Sequence, residues 1–152
     1  MIKIFKNLDI DDLENEIWKI IQDFNDYRVS NLGRVKSLKY KKERILKQGI
    51  DSKGYFQVIL CKNKKQKTKR VHILVYETFY NDKLKLNECI HHKDDIKLNN
   101  YYENLEKKTK YNHNVDHNKG KNNPFFGKHH LEKTKEIISK KRKVFIEKNK
   151  RS

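Results

Sequence analysis

The stretch Glu88-Cys89-Ile90-His91-His92-Lys93-Asp94-Asp95-Ile96-Lys97-Leu98-Asn99-Asn100-Tyr101-Tyr102-Glu103-Asn104-Leu105-Glu106-Lys107-Lys108-Thr109-Lys110-Tyr111-Asn112-His113 decides how the rest of the chain is read. Three of the seven histidines fall in it, His91, His92 and His113, with Asn104 between them. A strand over 88–92, a polar loop, a second strand over 104–108 and a helix from Thr109 make a ββα unit. Thr109 is a natural N-cap, which puts His113 in the opening turns of that helix. Neighbouring residues of a strand point to opposite faces. That rule relaxes at a strand's end, so His91 and His92 can both approach one site. Asp94, Asn99 and Asn100 read as turn formers acting through their own backbone. Tyr101 and Tyr102 can pack or stack, and the sequence does not choose.

Working towards the N-terminus, residues 72–80 (HILVYETFY) read as a short buried helix. His72 on that apolar helix reads as a buried, hydrogen-bonded histidine and not as a ligand. Before it lies a β unit: Gly54 to Leu60, a basic loop from Lys62 to Lys67, then Thr68 to Val71. Alternating residues around Asn31-Leu32-Gly33 predict a β-hairpin, with Arg28, Arg34 and Lys36 on its polar face. Residues 9–24 carry Ile10, Leu13, Ile17, Ile20, Ile21 and Phe24 near helical spacing, while Trp18-Lys19-Ile20 suits a short strand equally well. Beyond the ββα unit, residues 131–148 have helical propensity but only a thin apolar stripe.

The chain has 152 residues, and 37 Lys+Arg against 20 Asp+Glu give it a net charge of +17. Its length allows one or two small domains and a tail, and excludes a large multi-domain enzyme. No apolar run approaches the roughly 20 residues a bilayer needs, and the first residues lack the apolar core of a secretory signal. Two cysteines, Cys61 and Cys89, are too few for a disulfide framework; both read as buried thiols. They lie too far apart to complete a zinc finger with His113 and His117. A soluble, intracellular protein of a host cytoplasm is expected. Residues 1–29 carry 4 basic and 7 acidic side chains, residues 30–106 carry 18 and 9, and residues 107–152 carry 15 and 4. A genomic bias explains lysine over arginine but not the surplus. So concentrated a positive field points to a polyanion, and to nucleic acid before a membrane.

His91-His92, Asp94, Asn99-Asn100, Asn104-Leu105 and His113 together resemble the motif of the HNH nucleases, specifically the phage- and intron-type homing endonucleases. Val71-His72-Ile73-Leu74-Val75 with Phe79 is similar to the helix preceding that motif in this subfamily, and Gly54-Tyr55 with Val58 and Leu60 to the strand before it. Trp18-Lys19 through Leu38 resembles a nuclease-associated modular DNA-binding motif of NUMOD type. Asn123-Pro124-Phe125-Phe126-Gly127-Lys128-His129 through Ser139 resembles another. Four positions depart from the family pattern: Asp95-Ile96 replaces Gly-Asn, Lys107 replaces an aromatic, and Ile73 replaces a basic residue.

The resemblance implies an α+β fold in three parts. These are a small mixed β-sheet in the N-terminal DNA-binding region (1–50), a ββα-metal (His-Me finger) HNH core (51–118), and a helical, basic DNA-binding tail (119–152). It implies a metal-dependent hydrolase that cuts phosphodiester bonds in double-stranded DNA. His92 would be the general base and Asn104 the group that orients its ring or its loop. His91 and His113 would hold one divalent ion, Mg²⁺ first, with Mn²⁺, Co²⁺ or Ni²⁺ as alternatives; His117 is a substitute for His113. Arg28, Arg34, Lys36, Lys64, Lys65, Lys67, Asn123, Lys128, Lys141 and Arg142 would contact DNA, with His129 and His130 near it or merely exposed. One catalytic constellation suggests a monomer that nicks, and the resemblance implies a phage or virus gene. The alternatives are a non-catalytic DNA-binding protein that retains a decayed site, and an RNA-binding protein using the same basic surface.

Overall fold

The structure is a computed structural model that describes residues 7–118, 127 and 131–149; of residues 41, 117, 118 and 144–149 it describes the backbone alone. Among these residues three small sheets and three α-helices follow one another along the chain. Strands β1 (Trp18–Ile21), β2 (Phe24–Ser30), β3 (Val35–Ser37) and β4 (Arg44–Ile45) form the first sheet in sequence order. Strands β5 (Gly49–Ile50), β6 (Phe56–Lys62) and β7 (Lys65–Arg70) form the second, which leads directly into helix α1 (Val71–Tyr80). The third pairs β8 (Glu88–His92) with β9 (Leu105–Thr109), and α2 (Lys110–Asn118) follows. All pairing is antiparallel, so the N-terminal sheet is antiparallel and not mixed.

One core joins the N-terminal sheet to the residues after it. Tyr27, Val29 and Val35 lie in the same buried cluster as Phe56, Val58, Leu60, Val71, Leu74, Val75, Ile90 and Leu105. A division at residue 50 therefore marks no break in packing. Tyr27 ties the first two sheets further: its hydroxyl accepts from the Cys61 amide at 3.0 Å. Helix α1 ends where Asn81 adopts a left-handed conformation (φ 51°, ψ 39°), a usual helix stop.

Two elements differ from the sequence reading. Residues 9–24 form no helix: they make an irregular arm and then β1, the short strand that Trp18-Lys19-Ile20 suited equally well, and along them Ile17 and Ile20 stay exposed while Ile21 and Phe24 are buried. The arm is held instead by a side chain from β3's end of the hairpin. Arg34 donates to the carbonyls of Asp9 and Asp11, both at 2.8 Å, and through Nε to Glu16 at 2.9 Å. The segment from Lys62 to Lys67 is not an open loop. Asn63 (φ 52°) and Lys64 (φ 61°) make a two-residue turn of the kind that matches strand twist, and Lys65 and Lys67 already belong to β7.

Residues Asn114–Ser152 form a separate unit. Its described part is dominated by α3 (Glu132–Asn149), in keeping with the helix expected over 131–148. Ile137 and Ile138 of the thin apolar stripe are exposed.

Candidate functional site

Strand alternation decides what surrounds the two adjacent histidines. Ile90 and His92 face the core, and His91 faces the other way. His92, only 4% exposed, lies among Tyr55, His72 and Asn100. Its ring stacks on Tyr55 with centroids 5.9 Å apart and meets His72 edge-on at 5.2 Å. His91 has different neighbours. Its ring is edge-to-face with that of His113 at 5.4 Å, and its Nε2 lies 3.9 Å from Glu106, its cross-strand partner.

His113 arrives from the opening turn of α2, as expected from a cap at Thr109. The Asn112 amide donates to Thr109 Oγ1 at 3.2 Å. The Lys110 amide donates to the carbonyl of Asn87, and its ammonium reaches the carbonyl of Leu86, which seats the helix start against the chain entering β8. Two imidazoles from two elements thus lie edge to face. Imidazole is a borderline ligand that suits first-row divalent ions. Among the described residues no three His, Cys, Asp or Glu side chains converge as a ready-made cage.

Asn100, which the sequence presents as a turn residue, holds the His92 ring: its Oδ1 lies 3.2 Å from His92 Nε2. An amide oxygen only accepts, so with the amide turned this way the contact requires the tautomer in which Nε2 carries the proton and Nδ1 keeps its lone pair. Asn104 does a different task. Its Nδ2 donates to Asp94 Oδ1 at 2.8 Å and to the Asn99 carbonyl at 3.0 Å, and its Oδ1 accepts from the Asp94 amide at 3.2 Å. Of its two expected roles, ring or loop, the bonds are to the loop. Asp94 also accepts from the Ile96 amide and from Asn99 Nδ2, so it shapes the turn through its side chain and its backbone together.

Burial leaves its mark on protonation. Desolvation, despite an opposing pull from Asn100, holds the His92 imidazole below its ordinary value, so it is neutral near pH 7. His72 is driven to about 3 by burial first, with His92 and Arg70 adding to the effect. It is buried as expected, but its Nδ1 has no hydrogen-bond partner among the described residues. Asp94 is held below the usual carboxylate range: burial pushes it up, and the donors from Asn99, Asn104 and Ile96 outweigh that.

The positions outside the family pattern are accommodated in specific ways. Asp95 has a φ of +57°, a left-handed conformation that glycine adopts without strain. Lys107 pairs with Asp82 at 2.5 Å and Glu88 at 3.5 Å. Ile73 packs against the core cluster. Tyr102 packs against the core cluster, its ring tilted against Phe79 of α1 with centroids 5.4 Å apart. Cys61 and Cys89 are half-buried free thiols.

The basic residues expected to meet DNA divide sharply. Arg34 is 1% exposed and locked to Glu16, so it cannot lie on a polar surface. Lys36 is buried over the Trp18 ring at 4.5 Å, with Asp12 and Glu43 nearby. Arg28 is partly exposed on β2, and Lys64, Lys65 and Lys67 are exposed around the β6–β7 turn. Lys141 and Arg142 are exposed on α3. Asn123, Lys128, His129, His130 and the side chain of His117 lie outside the described residues.

Comparison with known proteins matches three models in order along the chain. They are a NUMOD4 motif over residues 16–61, an HNH endonuclease over 69–115, and a NUMOD3 motif over 115–139. Two uncharacterized HNH endonucleases of Acanthamoeba polyphaga mimivirus are similar. One is 43% identical over 100 residues, covering 66% of this chain and 29% of the relative. The other is 38% identical over 112 residues, covering 69% and 27%. This chain therefore spans less than a third of either relative. Among solved structures, one of DNA binding and cleavage by the HNH homing endonuclease I-HmuI superposes with a TM-score of 0.60 at 31% identity, over 81% of this chain and 66% of that one. No described helix is long and apolar enough to cross a membrane.

Proposed function

Because this chain belongs to the HNH endonuclease family and carries NUMOD-type motifs on both flanks, we propose that it is a virus-encoded, homing-type nuclease that hydrolyses phosphodiesters in double-stranded DNA. The observation that carries the reading is the division of labour on β8. A buried neutral imidazole hydrogen-bonded to Asn100 Oδ1 stands next to a more exposed imidazole paired with another.

Phosphodiester hydrolysis needs a deprotonated water, charge neutralisation at phosphorus and stabilisation of the 3′ leaving oxygen. His92 takes the proton. With Nε2–H committed to Asn100, Nδ1 is the only ring nitrogen with a lone pair, so the base works from a single tautomer. Its lowered proton affinity keeps it unprotonated at neutral pH. His91 and His113 would hold one divalent ion, which supplies the charge neutralisation at the phosphate and the leaving oxygen. Asn104 fixes the loop between His92 and β9 by bracing Asp94 and Asn99. Arg28, Lys64, Lys65 and Lys67, with Lys141 and Arg142, would contact backbone phosphates, which positions the duplex without reading sequence. Asn123 and Lys128 of the NUMOD3 segment would add to that set. We take the acting unit to be a monomer, since one constellation serves one strand.

The test is cleavage of supercoiled plasmid with Mg²⁺ or Mn²⁺, beside His92→Ala and EDTA controls. Nicked or linear product from the wild type alone, abolished by EDTA, supports the nuclease. Salt-sensitive retention without cleavage, after a cognate site has been tried, would favour a DNA-binding protein with a decayed site. Asp95 in a left-handed position is the observation that keeps that second reading open.

A further inference from the structure

The turn that closes the N-terminal hairpin does not stop at shaping the first sheet. It touches the loop that carries Asn100. The Asn31 carbonyl accepts from the Tyr102 amide at 2.9 Å, a backbone bond from the β2–β3 turn to the segment before β9. Gly33, at φ +88°, presses its bare Cα against the same segment. A Cβ built there would lie 2.7 Å from Asn100 Cβ and 3.5 Å from the Asn100 carbonyl oxygen. Only glycine satisfies both the left-handed backbone and the close approach.

The turn is itself pinned from behind. Asn31 Oδ1 accepts from the Ile17 amide at 2.8 Å, its Nδ2 donates to the Asn15 carbonyl at 3.0 Å, and its own amide donates to the Ile17 carbonyl at 3.0 Å. Gln48 Nε2 donates to the Gly33 carbonyl at 2.6 Å. The Arg34 amide donates to the buried Ser30 hydroxyl at 3.0 Å. A turn so fastened acts as a fixed surface on which a polar loop can be located.

We infer that the Asn31–Gly33 turn is the seat of the catalytic loop. It holds Asn100 where its Oδ1 meets His92 Nε2, and so selects the tautomer in which Nδ1 is the base. The N-terminal module then has a second task besides meeting DNA, and Gly33 is a positioning residue for hydrolysis although it touches neither substrate nor His92. This rests on the reading of His92 as the base, and the test separates the two. The ring ¹⁵N–¹H spectrum of the full chain, recorded without metal or DNA, reports which His92 nitrogen bears the proton whether or not the protein cleaves.

Wild type is expected to show Nε2–H at His92. Gly33→Ala should shift that ring towards Nδ1–H or a mixture, slow cleavage at saturating duplex at least tenfold, and leave duplex affinity within twofold. In an Asn100→Gly background there is no Cβ to collide with, and Gly33→Ala should then cost less than a further twofold. An unchanged His92 tautomer and rate in Gly33→Ala would overturn the inference. So would an equal loss of rate in both backgrounds, because that is the signature of general destabilisation. Asn100→Ser keeps the seat but withdraws the amide. It must lose the Nε2–H preference by itself, and if it does not, the inference fails even if Gly33→Ala does not fold. Wild type that shows Nε2–H but cuts no DNA would count against the nuclease reading and leave the seat standing.

Discussion

His91 and His92 are consecutive in the chain and opposite in circumstance. His92 is enclosed by Tyr55, His72 and Asn100, while His91 shares a less buried position with His113 and Glu106. One half of the site is therefore preorganised by packing, with its protonation set in advance. The other half consists of two rings from a strand and a helix, which the proposed ion would draw together. A base has to be held in one tautomer before substrate arrives. Metal ligands can complete their geometry when the ion binds. The cost of truncation should differ accordingly on the two sides of β8.

The largest effect is expected at His92. His92→Ala should lower single-turnover cleavage by roughly 10²–10⁴-fold with duplex affinity intact, and added metal should not restore it. His91→Ala and His113→Ala should instead raise the metal concentration needed for half-maximal rate, with partial recovery at high Mn²⁺. A metal titration of the three variants checks this. Identical behaviour of all three would erase the distinction between the two faces.

The next contrast is between basic residues that the sequence treats alike. Arg34 and Glu16 are both buried, and removing one partner leaves the other charged and unpaired. Arg34→Ala should cost about 3–5 kcal/mol in urea unfolding. Changing Lys64, Lys65 and Lys67 together to alanine should leave the unfolding midpoint unchanged. It should reduce the salt dependence of duplex binding by about 0.9 in slope for each phosphate that a lysine no longer neutralises. If the lysine triple variant keeps the wild-type slope, these side chains merely guard the exposed edge of β7 against strand pairing.

That contrast also marks how far the sequence could be read. The ββα unit was legible because its signals are local: alternation in β8, turn formers in the loop, and a threonine cap three residues before the Asn112 amide it receives. The α1 helix and the β2–β3 hairpin were legible for the same reason. Arg34 was not, since its carboxylate partner comes from an arm with no regular structure, and the residues of that arm imitate a helical period by mixing exposed and buried apolar side chains. Asn100 was not either. Its role depends on a turn far upstream, and a pair of asparagines in a polar loop carries no sign of which one is buried.

Protonation gives a further test of the enclosed side. His72 titrates at about 3 in the fold against 6.5 for an ordinary histidine, because burial, then His92 and Arg70, disfavour its cation. Between those values the unfolded chain binds a proton that the folded chain does not, so stability falls as pH falls from 6.5 towards 3. The slope from this group is at most about 1.4 kcal/mol per pH unit. Unfolding of wild type and His72→Leu at pH 7 and pH 5 checks the sign. The wild type should lose more stability between the two pH values, and an equal or larger loss in His72→Leu would mean that His72 is not the group responsible.

The smallest effect is expected where the loop departs from its family. Asp95 occupies φ +57°, which an L-residue adopts at a cost that is lower for Asp than for most. Asp95→Gly removes that strain but gives the unfolded chain more freedom to lose, a term of roughly 0.4–1 kcal/mol in the opposite direction. The net change should be below about 1 kcal/mol. The informative quantity is the cleavage rate. Asn104 and Asn99 brace this loop through Asp94, not Asp95, so the geometry around His92 should be indifferent to the substitution. A rate unchanged within twofold would mean that the left-handed aspartate is tolerated in a working site. A rate raised tenfold or more would mean that the loop is held off its active geometry in this chain, and that the enclosed half of the site is less finished than its burial suggests.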